Sequence, residues 1–547
     1  MGREEGKSMT PKRPKRSVNW RSLAAAAVLC ACVTPAVGNT AAHAAPLRGY
    51  SPLLQQAASH PGSSFRVIIQ KRGSSTLPES LIQQAGGRIT KQLSIIDALA
   101  ATVPGRLIHQ LAASQSVNWV SPDAVVRREG GPDGPVNTAN LLNHYDAAIG
   151  ADRMWAQGYQ GSGVNVAVVD SGITPTPDLG SSRLVDSVSL VSSDATTTDQ
   201  YGHGSHVAGI IGGNGALGGG KYVGIAPKVG VIDVKIFDSQ GAATTSDVVN
   251  GLQWVYDHAQ ADNIRVVNLS LDTTVAQSYN VDPVDAACEI LWFNKIVVVA
   301  AAGNNQKSNP GVLYAPANDP FVITVGAVND HGTNTTSDDT VAPFSAYGTT
   351  ADGFGKPDVV APGTDIVSVM ASSSDYLATH HPTHIDGSYF DMSGTSMATA
   401  VVTGAAALML ERAWWLNPDQ VKYLLMAYAT PLPGQAGAGA GEINVYAASH
   451  GWTASANTGL LPSSALETGS GTGFITWDSA SWGSASWGSA SWGSVSWGSA
   501  SWGSAVWDSD YWGPTTKHPL GLGRSQPGAR SGAVVGPSMD NVQSYNG

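Results

Sequence analysis

The sequence predicts an α/β protein whose main domain is a doubly wound, mainly parallel sheet. Between residues 145 and 450, short apolar and β-branched segments alternate with helical patterns. Near-continuous apolarity is typical of strands buried on both faces of a sheet, and strand–helix alternation is typical of parallel α/β domains. The predicted strands are Val164–Val169, Val229–Phe237, Arg265–Leu271, Ile296–Ala302 and Phe321–Val328, and the predicted helices are Asp247–Gln260, Val284–Asn294, Ser396–Arg412 and Pro418–Ala429.

A second, smaller α/β unit is predicted at residues 65–129, between linkers at 45–64 and 130–144. Its elements follow the order β-α-β-β-α-β of a ferredoxin-like unit. Residues 127–132 are polar and rich in turn formers, which indicates a boundary. The predicted strands are Phe65–Gln70, Arg88–Leu93, Ile96–Val103 and Val117–Val120, and the predicted helices are Leu77–Ala85 and Arg106–Ala113.

Composition limits the class of protein. The 547 residues are 42% hydrophobic, which is enough for a large core and excludes a wholly disordered chain. The formal net charge is −11, although the first 22 residues are basic. Because a body this acidic binds a phosphate backbone poorly, we expect no nucleic-acid partner. We also expect a monomer.

Residues 1–44 have the pattern of a secretory signal peptide. Basic residues between 12 and 21 precede an uncharged stretch at 23–37, and Ala42-His43-Ala44 supplies an A-x-A cleavage site. Two alternatives stay open, a membrane anchor and lipidation at Cys32. We expect cleavage after Ala44 and a secreted, extracellular protein.

Cysteine usage agrees with export. Cys30 and Cys32 leave with the signal peptide, so Cys288 alone remains and no intrachain disulfide can form. Cys288 lies in an apolar helical pattern, and we interpret it as a small buried hydrophobic residue.

Residues 451–547 form a low-complexity tail in which tryptophan recurs every five residues within Ser-Trp-Gly-Ser units. An odd spacing places successive tryptophans on opposite faces of a strand, and a helix would spiral them around its axis. Two interpretations stay open, a flexible Gly/Ser spacer and an aromatic comb that contacts cell-wall polysaccharide or another surface. The tryptophans are Trp477, Trp482, Trp487, Trp492, Trp497, Trp502, Trp507 and Trp512.

Four residues in the main domain have the chemistry of a hydrolytic site. Asp170 closes a predicted strand at its carboxyl end, where α/β enzymes keep functional groups. His203 begins an apolar helix between glycines, and Ser396 begins another, where the positive end of the helix dipole favours a developing anion. Asn304 follows a further strand and offers an amide for an oxyanion. Singly, Asp170 and Ser396 could be turn or helix caps, but the order Asp, His, Ser is one in which a catalytic triad occurs.

These segments resemble the signatures of the subtilisin family of serine proteases (subtilases), over about residues 145–450. The resemblance implies a secreted serine endopeptidase that acts on protein and peptide substrates, and it makes residues 65–129 an inhibitory propeptide removed by self-cleavage. The matching segments are Val-Val-Asp-Ser-Gly at 168–172, His-Gly-Ser-His-Val-Ala-Gly at 203–209, Ala-Ala-Gly-Asn at 301–304 and Gly-Thr-Ser-Met-Ala at 394–398.

The resemblance assigns a role to each catalytic residue type. Ser396 would attack the peptide carbonyl, His203 would take its proton and Asp170 would hold the imidazole tautomer. Asn304 and the Ser396 backbone N–H would bind the oxyanion. Self-cleavage is expected between residues 127 and 144, most simply near Glu129-Gly130, and cleavage by an outside trypsin-like enzyme at Arg127-Arg128 stays open as the alternative. The competing interpretation is a catalytically idle scaffold that binds surfaces through its Trp repeats, and the four intact positions argue against it.

The resemblance also implies two walls for an extended substrate. Their residues are Ser270, Leu271 and Asp272 in one wall and Ala301, Ala302 and Gly303 in the other. Asp272 stands where the family usually has Gly, and its charge predicts a preference for basic side chains in the neighbouring subsites.

No cofactor is expected, and no metal ligand can be assigned. The Gly-rich loop 212–220 lacks the Asn/Asp cluster of the family's high-affinity calcium site, although calcium elsewhere stays open. A cluster of three histidines and Asp386 before the nucleophile has zinc-ligand residue types, but we favour a solvated loop. The three histidines are His380, His381 and His384.

Ala400-Val401 replaces the family's usual Pro-His, and this replacement should cost little stability.

Overall fold

The computed structural model describes residues 47–73, 75–128, 144–180, 183–463, 466–468 and 475–477. The predicted signal peptide, the segment 129–143 and the Trp repeats after Trp477 lie outside the described residues. Within the described ranges, none of the helices combines the length and apolarity that a membrane span requires.

The N-terminal unit has the predicted β-α-β-β-α-β order. Its four antiparallel strands are arranged β2-β3-β1-β4, and their alternate apolar residues pack against α2 and α3. A short fifth strand, β5, leaves this sheet. The elements are α1 (Ser51–Ser59), β1 (Ser64–Lys71), α2 (Leu77–Gln84), β2 (Arg88–Leu93), β3 (Ala98–Pro104), α3 (Gly105–Ala113), β4 (Val117–Pro122) and β5 (Val125–Arg128).

Helix α1 lies within segment 45–64, for which the sequence predicts a linker. Leu53, Leu54 and Ala57 of this helix are buried in the core of the N-terminal unit, where α1 contacts α3. A nine-residue helix is marginal by itself, so burial against α3 stabilises it and local propensity gives little signal.

The main domain is built on eight strands in one sheet. The strand order is β14-β13-β12-β10-β6-β8-β7, with β17 beside β13, and all neighbours are parallel except β14. This confirms the doubly wound, mainly parallel prediction. The strands are β6 (Asn165–Asp170), β7 (Leu184–Ser189), β8 (Gly230–Lys235), β9 (Ala243–Thr244), β10 (Ile264–Leu269), β11 (Leu271–Thr273), β12 (Val297–Ala301), β13 (Ile323–Asn329), β14 (Thr340–Val341), β15 (Gly348–Thr349), β16 (Gly355–Lys356), β17 (Val359–Pro362), β18 (Ile366–Val369), β19 (Ile385–Asp386) and β20 (Tyr389–Met392).

Helices cover the sheet in two groups. One pair consists of α6 and α10, which contact each other, and the other consists of α7 and α8. Helix α10 is buried from residue 395 to residue 410, so it is apolar or small on all sides and forms the centre of its layer. The helices are α4 (Tyr145–Ala148), α5 (Ala151–Ala156), α6 (His203–Gly212), α7 (Thr245–His258), α8 (Pro283–Phe293), α9 (Tyr376–His380), α10 (Thr395–Arg412), α11 (Pro418–Ala427) and α12 (Val445–His450).

The first part of the tail packs on the main domain, although the sequence predicts low complexity from residue 451 onward. The Asn457 side-chain amide donates to the Phe321 carbonyl (3.1 Å), and the Tyr279 hydroxyl donates to the Leu461 carbonyl (3.0 Å). The Ser463 N–H donates to Glu289 Oε2 (2.7 Å). The domain therefore extends past residue 450, and a short hairpin of β21 (Leu466–Thr468) and β22 (Ile475–Trp477) follows.

Four buried carboxyl groups lie on helix α8 or next to it. Asp282 accepts hydrogen bonds from the N–H groups of Val284 (2.8 Å) and Asp285 (3.3 Å) at the start of the helix, and it is buried like Asp285, Glu289 and Asp319. Burial raises the pKa of Asp282 to about 6 and that of Asp319 to about 7. Burial, together with repulsion from neighbouring carboxylates, raises the pKa values of Asp285 and Glu289 well above their usual range.

The raised pKa of Glu289 predicts a pH-dependent stability. The unfolded chain ionises Glu289 near its usual pKa of about 4.3, whereas the folded chain keeps it protonated to higher pH. Its contribution to the free energy of unfolding is therefore full below pH ~4 and is lost as the pH rises through the folded pKa. Glu289→Gln is neutral throughout, so it should gain stability over its parent as the pH rises from 5 to 8.

Urea unfolding of the full chain with Ser396→Ala, which removes the predicted nucleophile, would measure this effect without self-digestion. Asp257→Asn is a matched control because Asp257 is an exposed carboxylate on α7. An unfolding free-energy difference for Glu289→Gln that is the same at pH 5 and pH 8 would contradict the prediction.

Candidate active site

Asp170 and His203 form a buried pair. Asp170 is the last residue of β6 and His203 is the first residue of α6. His203 Nδ1 lies 2.8 Å from Asp170 Oδ1 and 3.0 Å from Oδ2. Because an ionised carboxylate only accepts, Nδ1 carries the hydrogen and Nε2 is left as the basic nitrogen.

Asp199 holds the start of α6 in place, and sequence reasoning missed it. This buried carboxylate accepts from the N–H groups of Tyr201 (3.1 Å), Gly202 (2.7 Å) and Ser205 (2.8 Å). Burial raises the pKa of Asp199, and these hydrogen bonds oppose that shift. An Asp shortly before an apolar helix is a capping signal, and it could have identified Asp199.

Ser171 connects the two catalytic elements. Its hydroxyl donates to Asp199 Oδ1 (2.9 Å) and accepts from the Gly204 N–H (2.9 Å). Strand β6 is thereby fixed to the first turn of α6, which sets the orientation of His203 toward Asp170.

The second histidine of the motif, His206, has a structural environment. Its Nε2 donates to the carbonyls of Ile366 (3.1 Å) and Phe390 (2.9 Å), and the ring is fully buried. Burial lowers the pKa of His206 to about 3, so the ring is neutral at ordinary pH.

Ser396 is the second residue of the 18-residue helix α10. Its hydroxyl donates to the Ser270 carbonyl (3.2 Å), and the Ser270 hydroxyl donates to the Ser396 carbonyl (3.1 Å). Within the part of the chain that the structure describes, His203 Nε2 makes no hydrogen bond. In this structure the Ser396 hydroxyl is therefore bonded to Ser270 and not to His203.

Asn304 is oriented by the residue before Ser396. Its side-chain oxygen accepts from the Thr395 N–H (3.0 Å) and the Thr395 hydroxyl (3.1 Å). The same hydroxyl accepts from the Gly303 N–H (3.2 Å). The amide oxygen is thus turned toward the start of α10. Thr395 is a positioning residue that the motif contains but sequence reasoning did not single out.

The sheet brings these groups to one edge. Strands β6, β10 and β12 are parallel neighbours, so Asp170, Ser270 and Gly303 follow adjacent carboxyl ends. The predicted catalytic residues therefore form two hydrogen-bonded groups. Asp170 and His203 make up the first. In the second, Ser396 bonds to Ser270, and the neighbouring Thr395 bonds to Asn304.

The two predicted substrate walls face each other. Leu271 and Asp272 begin strand β11 and are buried, and Ala301 ends β12. Ala302 and Gly303 follow, and Gly303 has a φ of +104°, which favours glycine. A Cβ atom at Gly303 would lie 3.2 Å from Asp272 Oδ2, so the carboxylate of one wall approaches the backbone of the other.

A segment of the N-terminal unit lies in the groove beside these walls. Strand β5 (Val125–Arg128) pairs antiparallel with β11 on one side and with β9 on the other. Just before it, Asp123 accepts from the N–H (2.9 Å) and hydroxyl (3.0 Å) of Ser246 at the start of α7. The Lys91 ammonium also pairs with Asp247 on α7 (2.5 Å).

The histidine-rich loop makes contacts within the protein. His380 Nδ1 lies 2.7 Å from the Tyr376 carbonyl, and Asp386 Oδ2 accepts from the Tyr222 hydroxyl (3.1 Å). Across the described ranges, no three His, Cys, Asp or Glu residues converge on a point that could hold a metal ion.

Comparison with known proteins agrees with this geometry. The Subtilase family pattern matches residues 161–446. Subtilisin NAT of Bacillus subtilis subsp. natto is 33% identical over 409 residues, which cover 73% of this chain and 94% of the relative. Serine protease AprX of Bacillus subtilis (strain 168) is 40% identical over 270 residues, which cover 48% of this chain and 61% of AprX.

A solved structure shares the fold. Fervidolysin from Fervidobacterium pennivorans, a keratinolytic enzyme related to subtilisin, superposes with a TM-score of 0.57 at 22% identity, and the match covers 72% of this chain and 61% of fervidolysin. The chain thus spans about three fifths of AprX and of fervidolysin. The family match over half of the chain and the near-complete match to a subtilisin show that the chain belongs to the subtilase family of serine proteases.

Proposed function

We propose that this chain is a secreted, monomeric serine endopeptidase that hydrolyses peptide bonds in proteins. The observation that carries the proposal is the buried Asp170–His203 pair at the same sheet edge as Ser396 and Asn304. Secretion is supported by the signal-peptide pattern at residues 1–44.

The proposed reaction begins with attack by Ser396. Its oxygen bonds to the scissile carbonyl carbon while His203 Nε2 takes the hydroxyl proton. The imidazolium that forms donates from Nδ1 to Asp170, whose negative charge stabilises it. His203 then gives the proton to the leaving amine as the C–N bond breaks, and water releases the acyl group by the same steps in reverse.

The oxyanion has two proposed donors at the start of α10. Thr395 binds the oxygen of the Asn304 amide and so holds this side chain at the start of α10, and the Asn304 NH2 would donate to the oxyanion. The backbone N–H of Ser396 is the second donor. It lies in the first turn of a long helix, where the helix dipole adds to the stabilisation of negative charge.

The substrate would bind as an added strand. In the structure the groove between β9 and β11 holds β5, an extended segment of the chain itself. Strand addition satisfies the main-chain hydrogen bonds of any extended peptide, which suits an endopeptidase with many protein substrates.

The same contact supports an inhibitory role for residues 65–129. Arg128 pairs with Leu271, the residue that follows Ser270. The Ser270 carbonyl lies 3.2 Å from the Ser396 hydroxyl. We therefore propose that the N-terminal unit blocks the groove until the bond between Glu129 and Gly130 is cut by Ser396.

The first test concerns the nucleophile. A fluorophosphonate probe should label the mature chain at Ser396, because it reacts with a serine activated by a neighbouring base. Ser396→Ala should lose labelling and peptide hydrolysis together, and His203→Ala should lose both while keeping its serine. An unlabelled but folded wild-type chain would favour the alternative of an idle scaffold that binds surfaces through its Trp repeats.

The second test concerns maturation. In a purified system without other proteases, the wild type should yield a chain that begins within residues 127–144, most simply at Gly130. Ser396→Ala should accumulate as the uncut proform, which N-terminal sequencing and intact mass would show. Equally efficient trimming of Ser396→Ala would exclude self-cleavage and place the role of Ser396 in doubt.

The third test concerns the oxyanion donor. Asn304→Ala should lower kcat about 10²–10³-fold with little change in KM, because the donor acts mainly on the transition state. Asn309→Ala is the matched control, since Asn309 is exposed five residues further along and should leave both constants unchanged. A comparable rise in KM with unchanged kcat would assign Asn304 to substrate binding instead.

A further inference from the structure

We infer that Thr403 is a further positioning residue of this site, because it holds the peptide group of Ser396 in place through a buried network of hydrogen bonds. The inference rests on the proposed function for its effect on peptide hydrolysis. Thr403 lies on α10, seven residues after Ser396 and outside the four segments that resemble the family signatures. Seven residues are about two helical turns, so both residues lie on the same side of the helix.

Two side chains connect Thr403 with Ser396. The Thr403 hydroxyl donates to Asn268 Oδ1 (2.9 Å), and Asn268 Nδ2 donates to the Ser270 hydroxyl (2.8 Å). The Ser270 hydroxyl in turn donates to the Ser396 carbonyl (3.1 Å). We call Thr403, Asn268 and Ser270 the Thr403 network. It runs from α10 to strand β10 and the residue after it, and then back to the first turn of the same helix.

The chemistry of these groups gives the Thr403 network one direction. A hydroxyl has one hydrogen to donate, whereas a side-chain amide has an accepting oxygen and a donating NH2. Because Thr403 donates to the Asn268 oxygen, the Asn268 NH2 is the part of the amide that reaches Ser270. Ser270 accepts this bond, so its single hydrogen is left for the Ser396 carbonyl. Each donor therefore determines the role of the next group.

Burial favours this one arrangement. Thr403, Asn268 and Ser270 are all 0% exposed, so bulk water does not reach them to replace a lost partner. Asn268 is a polar residue among apolar neighbours, since it pairs in the sheet with Val168 on one side and Val299 on the other. A buried amide without partners costs free energy, and a fully bonded buried network specifies a single arrangement.

The group that the Thr403 network holds lies beside the reacting atoms. The Ser396 carbonyl, hydroxyl and N–H all belong to the first turn of α10. Ser270 binds this residue at two points, because its own carbonyl accepts from the Ser396 hydroxyl (3.2 Å). Without the Thr403 donor, the Asn268 amide can turn and present its oxygen to Ser270. The Ser270 hydrogen then leaves the Ser396 carbonyl, and the nucleophile loses one of these two attachments.

The principal experiment replaces Thr403 with Val, which keeps the branched shape and removes the hydroxyl. In the mature enzyme Thr403→Val should lower kcat for a peptide substrate about three- to tenfold, the size expected for one hydrogen bond, and KM should stay within about twofold. Thr403→Ser keeps the donor, so it should bring kcat back to within about twofold of the wild type. Wild-type kcat in Thr403→Val, or no recovery in Thr403→Ser, would overturn the inference.

Thr324→Val is the matched control. Thr324 is a fully buried threonine on β13, and its hydroxyl donates to the Ala317 carbonyl (2.9 Å), outside the Thr403 network. This change removes the same kind of group and should leave kcat and KM within about twofold of the wild type. An equal loss of kcat in Thr324→Val would assign the effect to lost stability and would also overturn the inference.

A double-mutant test shows whether Thr403 acts through Ser270. In a Ser270→Ala background the last bond of the Thr403 network is absent, so adding Thr403→Val should change kcat by less than about twofold. If Thr403→Val lowers kcat as much in this background as in the wild type, Thr403 does not act through Ser270 and the inference fails.

A second arm does not depend on hydrolysis. The full-length Ser396→Ala protein keeps the backbone carbonyl of residue 396, which Ser270 binds. In this protein Thr403→Val should raise the hydrogen-exchange rate of the amides at residues 395–398 about three- to tenfold, and Thr324→Val should not. If exchange changes in this way while the wild type cuts no peptide, the proposed endopeptidase fails and the Thr403 network stands. If peptides are cut while Thr403→Val changes neither kcat nor exchange, the positioning role fails alone.

Discussion

The site depends on the hydrogen bonds that join the first turn of α10 to the ends of β10 and β12. Thr395 holds the Asn304 side chain and the Gly303 N–H, and Ser396 and Ser270 bond to each other in both directions. These contacts place a helix N-terminus, with its positive potential, at the edge where three parallel strands end. Asp170, His203 and Ser396 lie at the ends of regular elements, and Asn304, which lies in a bend after β12, is held by Thr395 of α10.

Under the proposed function, one groove serves both a substrate and an inhibitor. Strand β5 uses main-chain pairing with β9 and β11, which any extended peptide can reproduce. The N-terminal unit also contacts α7 through Asp123 and Lys91, and a short peptide substrate would lack these two contacts. Affinity for the N-terminal unit and affinity for substrate can therefore be changed separately.

Much of this architecture could be predicted from residue patterns. Strand β12 is apolar throughout, β6 is apolar between its two end residues, and Asp170, His203, Asn304 and Ser396 stand at or next to element ends in specific motifs. Helix α1 could not be predicted, because burial against α3 decides it. Asp199 and Thr395 were missed because short polar residues beside a motif look like ordinary caps. Their importance appears only when the acceptors and donors around them are known.

The two departures from the family pattern have different consequences because their surroundings differ. Ala400 and Val401 lie inside α10, where a small and an apolar side chain suit the complete burial of that helix. Asp272 lies in β11, which pairs with β5 in the groove, and its Oδ2 approaches the backbone of Gly303. Main-chain pairing of this kind does not depend on the side chains of the paired segment. The contacts that hold Asp170, His203, Asn304 and Ser396 are formed in the presence of both departures.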